Sequence, residues 1–199
     1  SVVLEPRLAR APELPFRYPV AVKVLSPDIM HKTRTGGVRL GVNNAEDLRA
    51  AHAEVQSAGR RYDSRAAIRG VLVQPMLQGA VEALVGYRAG ADVGPFVTVA
   101  AGGRLVEVYR DRSLRLAPVD IALAWDMIRE VRAFHAMIEA GAEAAADFPA
   151  LARAIVALSQ LAVTDEPKVW EAEINPLLVR AAGEGAIALD AVVRLAKKA

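Results

Sequence analysis

Six residues from Val20 to Leu25 set the terms for this chain. Val20, Val22 and Val24 alternate with Ala21, Lys23 and Leu25, the period of a strand with two unlike faces. A lysine set mid-strand among apolar residues is costly unless its charge meets an anion or reaches water. Pro19 precedes the strand. A polar loop carrying His31 and Lys32 follows it, then the pair Gly36–Gly37 and a second apolar run from Val38 to Gly41. The residues alone leave two readings of Lys23 open: an edge-strand lysine whose amine snorkels to water, or a compact positive charge that clamps phosphate. The glycine pair likewise reads either as an ordinary turn or as backbone that approaches phosphate closely.

A chain of 199 residues has room for one domain or two small lobes, and at 53% hydrophobic it can bury a sizeable core. Net charge is only +2 and aromatics make up 5%, so a groove that stacks nucleic-acid bases is disfavoured. The chain has no cysteine, which excludes disulfides and thiolate metal sites. It carries no signal pattern and no apolar run long enough to span a membrane, so a soluble cytoplasmic protein is expected, without membrane or nucleic-acid partners. Opening at Ser1 without a methionine fits a fragment or a processed chain.

Residues 1–18 hold Pro6, Pro12 and Pro15 and read as an irregular arm, with one short strand at Val2–Leu4. Asn44 caps a helix with Leu48, Ala51 and Val55 on one face, ending near Gly59. Val71–Gln74 is a strand stopped by Pro75, and Val81–Tyr87 is the next, with Glu82 on the face opposite Val81, Ala83, Val85 and Tyr87. A loop over 89–95 then leads to a hairpin of Phe96–Ala101 and Leu105–Tyr109 across Gly102–Gly103. Arg115–Ala117 is a further candidate strand. Asp120 opens one long helix through Ile121, Trp125, Ile128, Val131 and Ile138, and Asp147 caps another with Leu151, Ile155 and Leu158 inward. The chain closes on a hairpin of Val169–Val179 and Ala186–Val193 about Gly183–Gly185. Consecutive hairpins with helices on one side give an α+β fold.

Besides Lys23 and the glycine pair, two places carry candidate chemistry. His31 lies beside Lys32 and Arg34, and a neutral imidazole is a competent nucleophile for a phosphoryl group; a surface histidine in a polar turn is the plainer alternative. His52 and His135 fall in helices and read as structural. In the last hairpin Glu171, Glu173 and Asn175 share a strand face. With the turn centred near Gly183, Asp190 falls diagonally across from Asn175 on that face. Acids and an amide oxygen converging there suit Mg²⁺ sharing its shell with phosphates and water, or else form a solvated polar face. There is no P-loop motif and no GxGxxG after a strand, so neither a P-loop nor a dinucleotide fold is expected.

PVAVKVLSPDIMHKTRTGGVRLG from Pro19, VLVQPMLQGAVEALVGY from Val71, AAGGRLVEVYRD from Ala100 and EAEINPLLV with ALDA from Glu171 occur in one order. Together they resemble the ATP-grasp domain of NDP-forming acyl-CoA synthetases, the relatives of succinyl-CoA synthetase. The resemblance implies a smaller lobe over 19–74 and a larger one over 75–199, with ATP or ADP and Mg²⁺ between them. It implies Lys23, Gly36, Gly37, Val73, Gln74, Met76 and Glu82 at the nucleotide, and Asn175, Asp190 and Glu173 at the metal. It also makes His31 the relay that carries phosphate toward an acyl-phosphate. The implied activity is an ADP-forming acid–CoA ligase. Its CoA-binding and ligase-CoA parts lie on other domains or a partner subunit, in a homo- or hetero-oligomer, with a carboxylic acid or acyl-CoA as substrate. The chain departs from the family pattern at Ala91–Val93, keeping Gly94–Pro95, at the AAGG turn and in the alanine-rich run after Gly141. Those departures favour the alternative, an ATP-grasp-like regulatory module such as those fused to protein acetyltransferases.

Overall fold

A computed structural model describes residues 1–8, 10–29, 32–90, 92–103, 111–141, 145–164 and 168–196. The chain divides into two compact units, Ser1–Leu77 and Gln78–Ala199. Among the described residues, no helix is long and apolar enough to cross a membrane.

The first unit is a four-stranded antiparallel sheet under one helix. Its strands are β1 (Val2–Leu4), β2 (Val20–Leu25), β3 (Val38–Val42) and β4 (Gly70–Pro75), in the order β1-β4-β2-β3. Helix α1 (Ala45–Tyr62) starts where Asn44 Oδ1 accepts the amide of Asp47 at 2.8 Å. Leu48, Ala51 and Val55 bury against Val20, Val22, Val24, Val71 and Val73. The helix runs three residues past Gly59, where the sequence ends it. Gly59 is there for packing: a β-carbon on it would stand 2.9 Å from Ile29 Cδ1. The arm is tied down at residues 5 and 6. Buried His52 donates through Nε2 to the Glu5 carbonyl at 2.8 Å, and Gln56 donates to the Pro6 carbonyl at 3.0 Å.

The second unit is built on β5 (Val81–Gly90), β6 (Gly94–Ala101), β7 (Arg112–Leu116), β8 (Val169–Val179), β9 (Ala186–Ala188) and β10 (Ala191–Leu195). The order is β10-β8-β5-β6-β7, with β9 also paired to β8. Helices α2 (Ile121–Glu130), α3 (Arg132–Glu139) and α4 (Phe148–Ser159) cover one face. Met127, Ile128, Phe134, Leu151 and Ile155 pack there on Ala83, Val85, Val97, Val99, Leu177 and Val179. The opposite face of the sheet bears the candidate chemistry.

Three expectations change here. Ala89, Gly90, Gly94 and Pro95, expected in a loop, are strand residues, because β5 and β6 stay paired out to Gly90 and Gly94. The partner of β6 on its far side is β7, running Arg112–Leu116; Leu105–Tyr109 lies outside the described residues. The long helix breaks at Val131, which has an extended ψ of 112°. The break is stabilised from outside, since the Asp111 carboxylate accepts the amides of Arg132 and Ala133 at 3.1 and 3.2 Å and so caps α3.

Candidate nucleotide and metal site

Lys23 is a central-strand residue. Strand β2 lies between β3 and β4, with Lys23 opposite Val38 on one side and Leu72 on the other. Its neighbours Val22 and Val24 point into the helix-side core, so Lys23 faces the other way. At 8% exposure it is no snorkelling edge lysine. Gln74 stands opposite Ala21 and therefore shares that face, one diagonal from Lys23. Its Oε1 is buried with no hydrogen-bond partner among the described residues. A buried acceptor left in this state costs about 1–3 kcal/mol, which a donor on a ligand would recover.

The loop between β2 and β3 is fastened at both ends. Asp28 Oδ2 accepts the Ala67 amide at 2.7 Å, Ser26 Oγ accepts the Asp28 amide at 3.2 Å, and Ile29 is buried in the core. On the return side the Gly37 amide donates to the Lys32 carbonyl, and the Val24 amide to the Gly37 carbonyl, both at 2.8 Å. His31 itself lies outside the described residues. The glycine pair has local causes. Gly36 has a φ of +74°, and a β-carbon on Gly37 would meet Val24 Cγ1 at 2.6 Å.

The remaining residues of the first unit's set divide. Val73 sends its side chain into the core and pairs in both ladders, with Val2 and with Val22. It therefore has nothing to offer a base. Met76, 40% exposed, donates its amide to the Pro19 carbonyl at 3.0 Å and leaves its side chain accessible.

In the second unit, β8 and β5 keep register from Arg88↔Glu171 to Val85↔Ile174, then shift before Ala83↔Leu177. Asn175 and Pro176 together stand opposite the single Leu84, a β-bulge. On its other side β8 holds one register from Ala186 of β9 to Arg194 of β10 and slips only at Leu195. Ala188 faces Leu177 and Ala191 faces Ile174. The Asn175 amide donates to the Asp190 carbonyl at 3.0 Å, and Leu189 N to Pro176 O at 3.0 Å. Asp190 is thus directly opposite Asn175, not diagonal to it, because Arg180 pairs with Gly185 and centres the turn half a residue before Gly183. Glu173 accepts from Asn175 Nδ2 at 3.3 Å. Glu171 bonds Arg194 at 2.8 Å.

Glu82, Leu84, Gly86 and Arg88 line the open face of β5, away from the helices. There the sheet carries a groove of about 670 Å³. Phe96, Thr98 and Ala100 of β6 and Arg112 and Leu114 of β7 bound it on one side, and Glu171 and Glu173 of β8 on the other. Arg88, Thr98 and Arg112 escape notice in the sequence. Their only signal is alternation along β5, β6 and β7, which is silent until the pairing of those strands is known.

The donor chemistry fits a hard cation. No cluster of three acidic or histidine side chains able to hold a metal alone occurs among the described residues. Mg²⁺ is commonly held by one or two protein carboxylates, with substrate phosphates and water completing its shell. An aspartate directly opposite an asparagine, with a glutamate beside them, matches that division.

The ATP-grasp domain family matches residues 5–195. The chain belongs to the ATP-grasp family. It is similar to the β subunit of the ADP-forming acetate–CoA ligase I of Pyrococcus furiosus, at 37% identity over 87% of this chain and 74% of that one. It is also similar to the ADP-forming acetate–CoA ligase I of Archaeoglobus fulgidus, at 39% identity over 83% of this chain and 24% of the relative. It thus spans about a quarter of the longer ligases and about three-quarters of the separate β subunits. Among solved structures it resembles an acetyl-coenzyme A synthetase of Candidatus Korarchaeum cryptofilum, with a TM-score of 0.70 and 28% identity over 90% of this chain and 78% of that one. That protein was solved with coenzyme A and Mg-AMPPCP, its phosphohistidine segment pointing towards the nucleotide-binding site. This ATP-grasp chain has the mixed α+β architecture with antiparallel sheets expected of the family.

Proposed function

We propose that this chain is the nucleotide-binding, phosphoryl-transferring part of an ADP-forming acid–CoA ligase. The observation that carries the reading is the pairing of Asp190 directly opposite Asn175 on the open sheet face, beside Glu173. Lys23, buried on its strand with Gln74 on the same face, supplies the cation for nucleotide phosphates. Gln74 and Met76 serve the base, with Glu82 as a wall of its site. Asn175 and Asp190 hold Mg²⁺, which neutralises phosphate charge. His31 accepts the phosphoryl group. Its imidazole nitrogen attacks with its lone pair, the bond from the γ-phosphorus to the bridging oxygen breaks, and ADP leaves with those electrons. Positioning and charge stabilisation carry such a transfer, with little further chemistry asked of the protein.

The carboxylic acid, acyl-CoA and CoA sites belong to other domains or a partner subunit. That division is supported by the share of the longer ligases this chain spans and by the separate β subunits it resembles. The regulatory-module alternative draws no support from these relatives, which are ligases.

The test is to incubate the chain with γ-labelled ATP and Mg²⁺ and follow the label. Acid-labile, base-stable label that disappears in His31→Ala and needs Mg²⁺ is expected. Tight Mg·ATP binding without label, in the presence of the CoA-binding subunit, refutes the relay. Failure to bind Mg·ATP at all refutes the nucleotide reading.

A further inference from the structure

One glycine of the large sheet has no cause among the described residues. Of the fourteen glycines in the chain, eight have positive φ. Five more would drive a β-carbon to between 2.5 and 2.9 Å of a neighbouring atom. Gly86 does neither. A β-carbon built on it would have Leu84 Cδ2 at 3.8 Å and the Ala172 carbonyl oxygen at 3.9 Å as its nearest neighbours among the described residues, ordinary contact distances. Gly86 lies mid-strand in β5, opposite Thr98 on one side and Glu173 on the other, in the floor of the groove. Glycine is among the poorest strand formers, and in a strand interior it marks a bulge, a bend or the close approach of another group. The bulge of this pair lies on β8 at Asn175–Pro176, not at Gly86. What remains is close approach from the groove.

We propose that the bare backbone at Gly86 is the floor beneath the terminal phosphoryl group of the bound nucleotide, and that a side chain there blocks ATP while sparing ADP. The inference rests on the nucleotide reading above and deepens it. Position along β5 gives the direction. Glu82, a wall of the base site, comes first. Leu84 stands level with Asn175–Pro176 and so with Asp190. Gly86 comes next, level with Glu173. Each two-residue step is about 6.6 Å along the strand. A nucleotide with its base near Glu82 and its phosphates at the Asn175–Asp190 pair runs its last phosphate over Gly86. The Thr98 hydroxyl and the Arg88 and Arg112 guanidinium groups border the same groove and suit phosphoryl oxygens. Glu173 repels a phosphoryl group there unless the cation lies between them, so occupancy is Mg²⁺-dependent.

Titration calorimetry of the full chain with Mg·AMPPCP and with Mg·ADP tests this, for wild type, Gly86→Ala and Gly86→Val, with the melting temperature of each. Gly86→Val is expected to weaken Mg·AMPPCP binding by about tenfold or more while holding Mg·ADP within about threefold. Its melting temperature stays level or rises. Gly86→Ala, whose single methyl meets no contact closer than 3.8 Å, shows a smaller loss for the triphosphate alone and carries the test if the valine variant does not fold. Unchanged binding of both nucleotides in the valine variant overturns the proposal. So does an equal loss of both, which puts the base or sugar over Gly86. Wild type that binds neither nucleotide refutes the function proposed above instead, and is told apart because it shows in the unsubstituted protein.

Discussion

Asp147→Ala should destabilise the second unit by about 2–4 kcal/mol. Asp147 is 4% exposed. One carboxylate oxygen accepts the Ala150 amide at 2.9 Å and so caps α4. The other accepts the Gly185 amide at 2.8 Å, in the turn that joins β8 to β9. One side chain thus fixes a core helix to the hairpin that bears Asp190. Losing an N-cap costs about 0.5–2 kcal/mol, and stranding a partly buried amide costs about 1–3 kcal/mol. In a unit of this size each kcal/mol moves the melting midpoint by roughly 3–5 °C, so a fall of roughly 10 °C is expected. Asp147→Asn keeps one acceptor and should lose about half as much.

The pH dependence has a definite sign. The Gly185 amide above all, then the Ala150 amide, the Arg153 charge and the Gly183 amide, hold the Asp147 carboxyl below its ordinary value against the cost of burial. The folded state therefore binds this proton less tightly than the unfolded chain does. The stabilisation is complete above the unfolded carboxylate's pKa, near about 4, and disappears as pH falls through the lower folded value. Urea denaturation at pH 7, 5 and 3 reads it: the gap between wild type and Asp147→Asn should hold from pH 7 to 5 and narrow by pH 3. An Asp147→Ala midpoint within roughly 2 °C of wild type, or a gap that widens on acidification, refutes this reasoning.

Two further outcomes are expected. Lys23→Met should keep the apolar stem and the fold while weakening Mg·ATP binding about tenfold or more by calorimetry; unchanged affinity removes Lys23 from the site. Arg115 and Glu130 are ion-paired, with buried Ser113 donating to Glu130 at 2.6 Å. Both ionised groups are substantially solvent-exposed, so a double-mutant cycle in urea should give a coupling of only about 0.5–1 kcal/mol. That coupling should shrink in high salt and as pH falls through the Glu130 pKa, which the Arg115 hydrogen bond chiefly lowers. A coupling insensitive to both contradicts the electrostatic account.

Much of the fold is legible in single residues. Alternation along Val20–Leu25 gives the strand and its two faces, and Asn44, Asp120 and Asp147 mark the three helix starts where their side chains accept an amide three residues on. The misread boundaries share one cause: a tertiary partner overrides a local signal. Gly59 looks like a stop and is a packing contact with Ile29. The α2–α3 stretch looks continuous until Asp111, from a distant part of the chain, caps its second half. The candidate site is partly legible for the same reason. Asn175 and Asp190 share a face because the Arg180–Gly185 pair centres the turn between residues 182 and 183; a turn centred on Gly183 would set Asp190 opposite Pro176, on the other face. The places of Gly86, Thr98, Arg88 and Arg112 depend on the pairing of β5 with β6 and β8 and of β6 with β7, which no local pattern encodes.

The doubled position at Asn175–Pro176 has a consequence for how this hairpin can vary. Up to Ile174 the even-numbered residues of β8 turn toward the helices and the odd-numbered acids turn away; beyond it Leu177 and Val179 occupy the core. Removing one residue at this point leaves no good repair. Keeping the C-terminal half in place turns the two glutamates onto the helix-covered face, and keeping the N-terminal half in place pushes two large apolar side chains into the groove. The strand can exchange residues there but cannot lose one, and that fixes the spacing between its acidic end and its apolar end.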